Sequence, residues 1–152
     1  MRRISRVPDC HCGESALELP RRPDVSIAVL PLLKSVYNLP RLVNLNRKQN
    51  FPGIDIGDDH DRVSFQITST TTLEKVKSTV QQFMDRAYHN TFDELYVLML
   101  ARKQSSYSQT SVNELLTNQF AFNCKKHIID LGDLLCQVAG LRLAAQEWML
   151  SS

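Results

Sequence analysis

The chain lacks most features that mark the easily recognised classes of protein. It has no charge excess: eighteen Lys and Arg stand against sixteen Asp and Glu, a formal net charge of +2 over 152 residues. No global basic character therefore announces nucleic acid, and only local clusters remain to meet phosphates. Apolar runs are short. The longest, such as LYVLMLA, fall far below the roughly 20 residues that a bilayer-crossing helix requires. Repeats and low-complexity tracts are absent. There are four cysteines, and Cys10 and Cys12 flank His11 in a spacing that does not build a structural zinc site. Cys136 lies in an apolar helical run and reads as a core residue. The thiol usage fits a reducing compartment. The start, MRRISRVPDCHC, is charged with no apolar stretch behind it, so no secretory signal is expected and the reading is cytoplasmic.

What is present is ordinary for a soluble globular domain: 43% hydrophobic and 22% charged residues, enough chain for one real core. Residues 1–23 carry Pro8, Pro20, Pro23 and scattered arginines with no apolar period, which predicts a poorly ordered segment. The single domain is expected over 24–150. Asp24 is placed to cap a mostly buried helix, VSIAVLPLLKSVYNL, that Pro31 kinks or restarts. After an Asn- and Pro-rich loop comes GIDIGDDHDRVSFQITS, two β-patterned stretches around a turn-rich centre. Thr70 to Thr72 then cap an amphipathic helix on Leu73, Val76, Val80, Phe83 and Ala87. ELYVLMLA predicts a central strand covered on both faces. A short helix over 111–119, a short strand over 126–131 and a last helix capped by Asp133 complete the order. The fold class is α/β, a mixed sheet of about four strands flanked by helices.

The hairpin is where chemistry is expected. Ile54 and Ile56 should point one way and Asp55 the other; Val63, Phe65 and Ile67 should form an apolar face opposite Ser64, Gln66 and Thr68. With His60 and Asp61 as the loop, Asp55 falls directly opposite Gln66. A carboxylate and an amide oxygen held side by side on strands can share a hard cation such as Mg²⁺. Each residue also has an ordinary role: Asp55 as a turn cap, Gln66 as a cross-strand partner, Asp58, Asp59 and Asp61 as solvated turn residues, Lys75 and Lys77 as exposed helix lysines. Trp148 and Met149 are expected to finish the core or to meet a partner domain.

The segments NLPRLVNLN, NFPGIDIGDD, RVSFQITSTTTLEKVKSTVQQF, ELYVLML and FAFNCKKHIIDLGDLLCQV resemble a bacterial family, the SMEK domain. The element order resembles the PD-(D/E)XK core of restriction-endonuclease-like nucleases. The resemblance implies a metal-dependent nuclease of DNA or RNA, in a setting of bacterial defence, using Mg²⁺ or Mn²⁺. It assigns Asp55, Gln66 and the backbone carbonyl of Ile67 to the metal. The motif's lysine position is Thr68, so the resemblance passes the cationic role to Lys75 or Lys77. It implies nucleic acid as the partner and no membrane, with a homodimer or a partner protein also compatible. The alternative is a catalytically inactive nuclease-fold module that binds nucleic acid or a protein.

Overall fold

The computed structural model describes residues 23–45 and 51–151; the expectations for the first 22 residues, for Cys10, Cys12 and His11, and for the side chains of Asp24 and Trp148 lie outside what is described. Helix α1 spans Pro23–Tyr37. Strands β1 (Val43–Asn44), β2 (Ile56–Asp58) and β3 (Val63–Thr68) follow, then α2 (Leu73–Asp85) and β4 (Glu94–Met99). The chain ends with short helices α3 (Gln109–Asn113) and α4 (Cys124–His127), strand β5 (Ile128–Asp130) and α5 (Leu131–Ser151). One five-stranded sheet has the order β1-β2-β3-β4-β5. The first two pairings are antiparallel and the last two parallel. The additional strand, β1, comes from the loop after α1.

Two cores lie on opposite faces of this sheet. Under α1 and α5, Val29, Leu33, Ile56, Phe65, Tyr96, Leu98 and Leu134 close together. Under α2, Val76, Val80, Phe83, Leu95, Val97, Met99 and Ile128 do the same. Alternate residues of β4 therefore feed opposite layers, which is why its sequence is almost continuously apolar. Phe65 anchors one core by stacking on Tyr96, with ring centroids 5.1 Å apart and planes 18° apart. On β3, Ser64 turns to the other layer, where its hydroxyl donates to the Glu94 carbonyl at 2.9 Å.

The hairpin register matches the sequence pattern: Ile56 pairs with Phe65 and Asp58 with Val63, which sets Asp55 opposite Gln66. The loop is longer than two residues, because the turn occupies 59–62 and Arg62 adopts a left-handed φ of 61°. Asp58 is not solvated. It is buried, and its Oδ1 accepts from the amides of His60 and Asp61 at 2.9 and 3.0 Å, an Asx-type turn. Ile54 and Ile56 are both buried but in opposite layers, since Gly53, at φ 89°, bends the chain before regular pairing begins. A Cβ at Gly53 would also collide with the Gln82 side chain.

Other boundaries move for local reasons. α1 is one helix with Pro31 inside it, on an exposed side, and it buries a stripe including Val29 and Leu33 while leaving Ile27 49% exposed. α2 stops at Asp85; Ala87 takes a left-handed conformation and Tyr88–Asn90 forms a 3₁₀ turn. The expected strand over 126–131 is shortened, because the Asn123 side chain caps Lys125 and Lys126 and starts α4 first. Cys136 is exposed on α5 rather than part of the core, as are Leu135, Leu141 and Met149.

Candidate metal centre

The carboxyl ends of the parallel strands β3 and β4 open into a cleft of about 500 Å³. In open α/β sheets this is where ligands sit, because strand ends and helix starts converge there around unpaired polar groups. Asp55, Gln66 and Ile67 line it, with Thr68, Ser69, Thr70, Lys75 and, from α1, Ser26.

Backbone pairing fixes Asp55 before its side chain makes any contact. Its amide donates to the Phe65 carbonyl at 3.0 Å and its carbonyl accepts from Leu45 at 2.8 Å. The carboxylate Oδ2 then accepts from the Ile67 amide at 2.7 Å. A short backbone N–H bond of this kind orients the carboxylate. Gln66 donates through Nε2 to the Ile67 carbonyl at 3.2 Å. Its Oε1 is buried and has no hydrogen-bond partner among the described residues. Buried acceptors without partners are rare and costly in folded proteins. The oxygen is half of an amide anchored at its other end, on a residue that lines the cleft together with Asp55.

Lys75 reaches the cleft from the first turn of α2, where Thr72 supplies the cap: its hydroxyl accepts from the Lys75 amide at 3.3 Å. Lys77, two residues further round the helix, is not among the lining residues. Thr68 stands at the wall, and its Oγ1 accepts from the Thr70 amide at 3.0 Å. Its hydroxyl is engaged in shaping the loop.

Sequence reasoning misses Ser26, Ser69 and Thr70. Ser26 is 1% exposed within an apolar helix, and that isolated polar residue is its only signal. The hydroxyl run 68–72 reads in sequence as helix capping alone. The loop is braced from behind by Tyr107, whose hydroxyl donates to the Thr71 carbonyl at 2.7 Å and accepts from the Gln104 amide at 3.1 Å.

The donor set suits a hard divalent cation: one carboxylate, one amide oxygen and one backbone carbonyl, all oxygen. Among the described residues no group of three His, Cys, Asp or Glu side chains forms a metal cluster, so any such site depends on the neutral oxygens of Gln66 and Ile67.

A second polar cluster lies beside β5. His127 is buried; its Nδ1 accepts from the Asn123 amide at 3.0 Å, so Nε2 carries the proton and donates to Glu94 at 3.2 Å. Lys126 pairs with the same Glu94 oxygen at 2.7 Å. Burial raises the Glu94 pKa, but the hydrogen bonds from Lys126 and His127 outweigh it and hold the carboxyl below its ordinary value. Burial holds His127 below its ordinary value, against the opposing pull of Glu94. Nearby, Asp130 accepts from the amides of Lys103 and Asp133 at 3.0 and 2.8 Å, and Lys103 pairs with Asp133 at 2.6 Å.

No helix among the described residues is long and apolar enough to cross a membrane. No curated protein and no solved structure matches the chain. The family model of the SMEK domain matches residues 27–139, from the first helix into the last and across the whole sheet. The chain belongs to the SMEK domain family.

Proposed function

We propose that the chain is a divalent-metal-dependent phosphodiesterase of the PD-(D/E)XK kind, acting on DNA or RNA. The observation that carries this reading is the buried Oε1 of Gln66, unpartnered among the described residues, on the residue that lies opposite the anchored Asp55 in the hairpin. In this reading Asp55, Gln66 and the Ile67 carbonyl hold Mg²⁺ or Mn²⁺. Such a cation, when bound, lowers the pKa of a water molecule and offsets negative charge on phosphoryl oxygens. Asp55 is oriented by the Ile67 amide. Among the described residues, Lys75 is the cation that lines the same cleft, and it offers positive charge to a phosphate entering it. Gln66 gives up no proton; it supplies an oxygen fixed in place by its own Nε2 bond to Ile67. A bacterial defence setting and a cytoplasmic location are consistent with this chemistry and belong to the same proposal.

One observation favours a second reading, an inactive nuclease-fold module that binds nucleic acid or a protein. Thr68 occupies the motif's lysine position, and its hydroxyl is taken up by the Thr70 amide. The two readings separate in one assay: DNA and RNA cleavage titrated with Mg²⁺ or Mn²⁺ for the wild type and for Asp55→Ala. Metal-dependent cleavage that disappears in the variant supports the enzyme. A wild type that neither binds metal nor cleaves supports the module.

A further inference from the structure

We propose that Tyr107 is the positioning residue for Lys75: its hydroxyl fixes the start of α2 and thereby aims that lysine into the cleft. The inference deepens the nuclease reading above and rests on it for what the ammonium group meets there, a phosphate.

Lys75 sits in the first turn of α2, which the body of the helix does not secure. From Val76 onward α2 is fixed by burial, with Val76, Val80 and Phe83 in one core layer. The first turn depends on Thr72, and the bonds there are long. The Lys75 amide lies 3.3 Å from the Thr72 hydroxyl and 3.2 Å from its carbonyl, and the Val76 amide lies 3.3 Å from the same carbonyl. Those lengths fall at the weak end for N–H···O bonds. The adjoining residue is gripped from outside the helix. Tyr107 donates its phenolic proton to the Thr71 carbonyl at 2.7 Å, a preferred length for an O–H···O bond.

Tyr107 is itself anchored on several sides. Its oxygen accepts from the Gln104 amide at 3.1 Å and stands 3.2 Å from Sδ of Met99, a fully buried residue that pairs with Thr68 of the cleft wall. Ser108 then caps α3, and Gln109 holds the Phe122 carbonyl and the Cys124 amide at 2.7 Å each. The hydroxyl therefore carries a rigid placement to the cap of α2. Lysine has a flexible stem, so the direction of the first turn sets the region its ammonium group samples. Asp55 is held separately, by the Phe65 carbonyl and the Leu45 amide of the sheet. Loss of the Tyr107 hydroxyl should move the cationic half of the site and leave the carboxylate half in place.

The test reads Lys75 directly. Lysines of the intact chain are reductively methylated with ¹³C-formaldehyde, and the Lys75 and Lys77 signals are assigned by NMR of Lys75→Arg and Lys77→Arg. Tyr107→Phe should shift or broaden the Lys75 signal and leave that of Lys77 unchanged. Ser64→Ala removes a buried hydroxyl donor at the opposite end of β3, controls for destabilisation alone, and should move neither signal. A Lys75 signal unchanged in Tyr107→Phe, or moved equally by Ser64→Ala, overturns the proposal. Metal-dependent cleavage adds a second readout. Tyr107→Phe should lower kcat/KM about tenfold with Mn²⁺ affinity unchanged, and should have no further effect when combined with Lys75→Ala. An equal loss in both backgrounds also overturns the proposal. If the Lys75 signal responds to Tyr107→Phe while neither the wild type nor any variant cleaves, the positioning role stands and the nuclease reading falls. If Asp55→Ala abolishes cleavage while Tyr107→Phe changes neither signal nor rate, the nuclease reading stands and the positioning role falls.

Discussion

The cleft at the end of β3 and the polar cluster beside β5 are built from similar groups with opposite outcomes. Around β5, Glu94, Lys126, His127, Lys103, Asp130 and Asp133 satisfy one another and the backbone. At the cleft, Gln66 keeps a buried oxygen that nothing among the described residues satisfies. A fully satisfied network rigidifies a fold, whereas an acceptor left without a partner costs stability that the fold must recover elsewhere. By that contrast the β5 cluster belongs to the fold, and the cleft is where the proposed cation would bind. The carboxylates and the histidine with shifted pKa values lie in the β5 cluster, away from the cleft.

The comparison breaks most visibly at Asp130. Asp130→Ala removes the acceptor for two backbone amides at a buried strand end and should cost about 2–3 kcal/mol, read as a lower urea midpoint with unchanged m-value. A loss below about 0.5 kcal/mol would show that the β5 network is incidental. Tyr107→Phe should cost about 1 kcal/mol, because the Thr71 carbonyl and Gln104 amide both lose their partner. It loosens the loop behind the cleft without touching Asp55.

Acid sharpens the same contrast. His127 has its pKa lowered by burial, so the unfolded chain takes up the proton more readily than the folded one. Stability is then fully present above the unfolded value of about 6.5 and is lost as pH falls through it toward the folded pKa. Glu94 and Asp130, both held below their ordinary values, add a loss in the same direction at lower pH, below the ordinary values of 4.5 and 3.8. Unfolding free energy measured between pH 7 and 5 should fall in the wild type and flatten in His127→Gln. An unchanged slope would show that His127 plays no part in the acid loss.

The Asp55–Gln66 pairing is legible in the sequence because period-two alternation and a turn between two strands leave few registers in which both apolar faces are buried. Ser26 is not, since only the tertiary packing of α1 brings its start to the end of β3. Cys136 and Leu135 escape a sequence reading for a related reason: a helix apolar around its whole circumference gives no hint of which side is covered, and α5 leaves both exposed. Lys75 and Lys77 are equivalent in sequence. Helix geometry, about 100° per residue, turns Lys77 away from the cleft that Lys75 lines.

The smallest expected effect on stability lies in the cleft. Gln66→Met removes the unsatisfied oxygen along with one bond to Ile67 and should change unfolding free energy by no more than about 0.5 kcal/mol in either direction. A loss above about 2 kcal/mol would place Gln66 among the structural polar groups, with those beside β5.

Whether Asp55 and Gln66 form a cation site is decided by Mn²⁺ titration followed by electron paramagnetic resonance on the intact chain. One bound ion per chain is expected, displaced by excess Mg²⁺, abolished by Asp55→Ala and weakened by Gln66→Met while both variants stay folded. Stoichiometric binding that survives Asp55→Ala, or no binding by the folded wild type, would contradict the assignment.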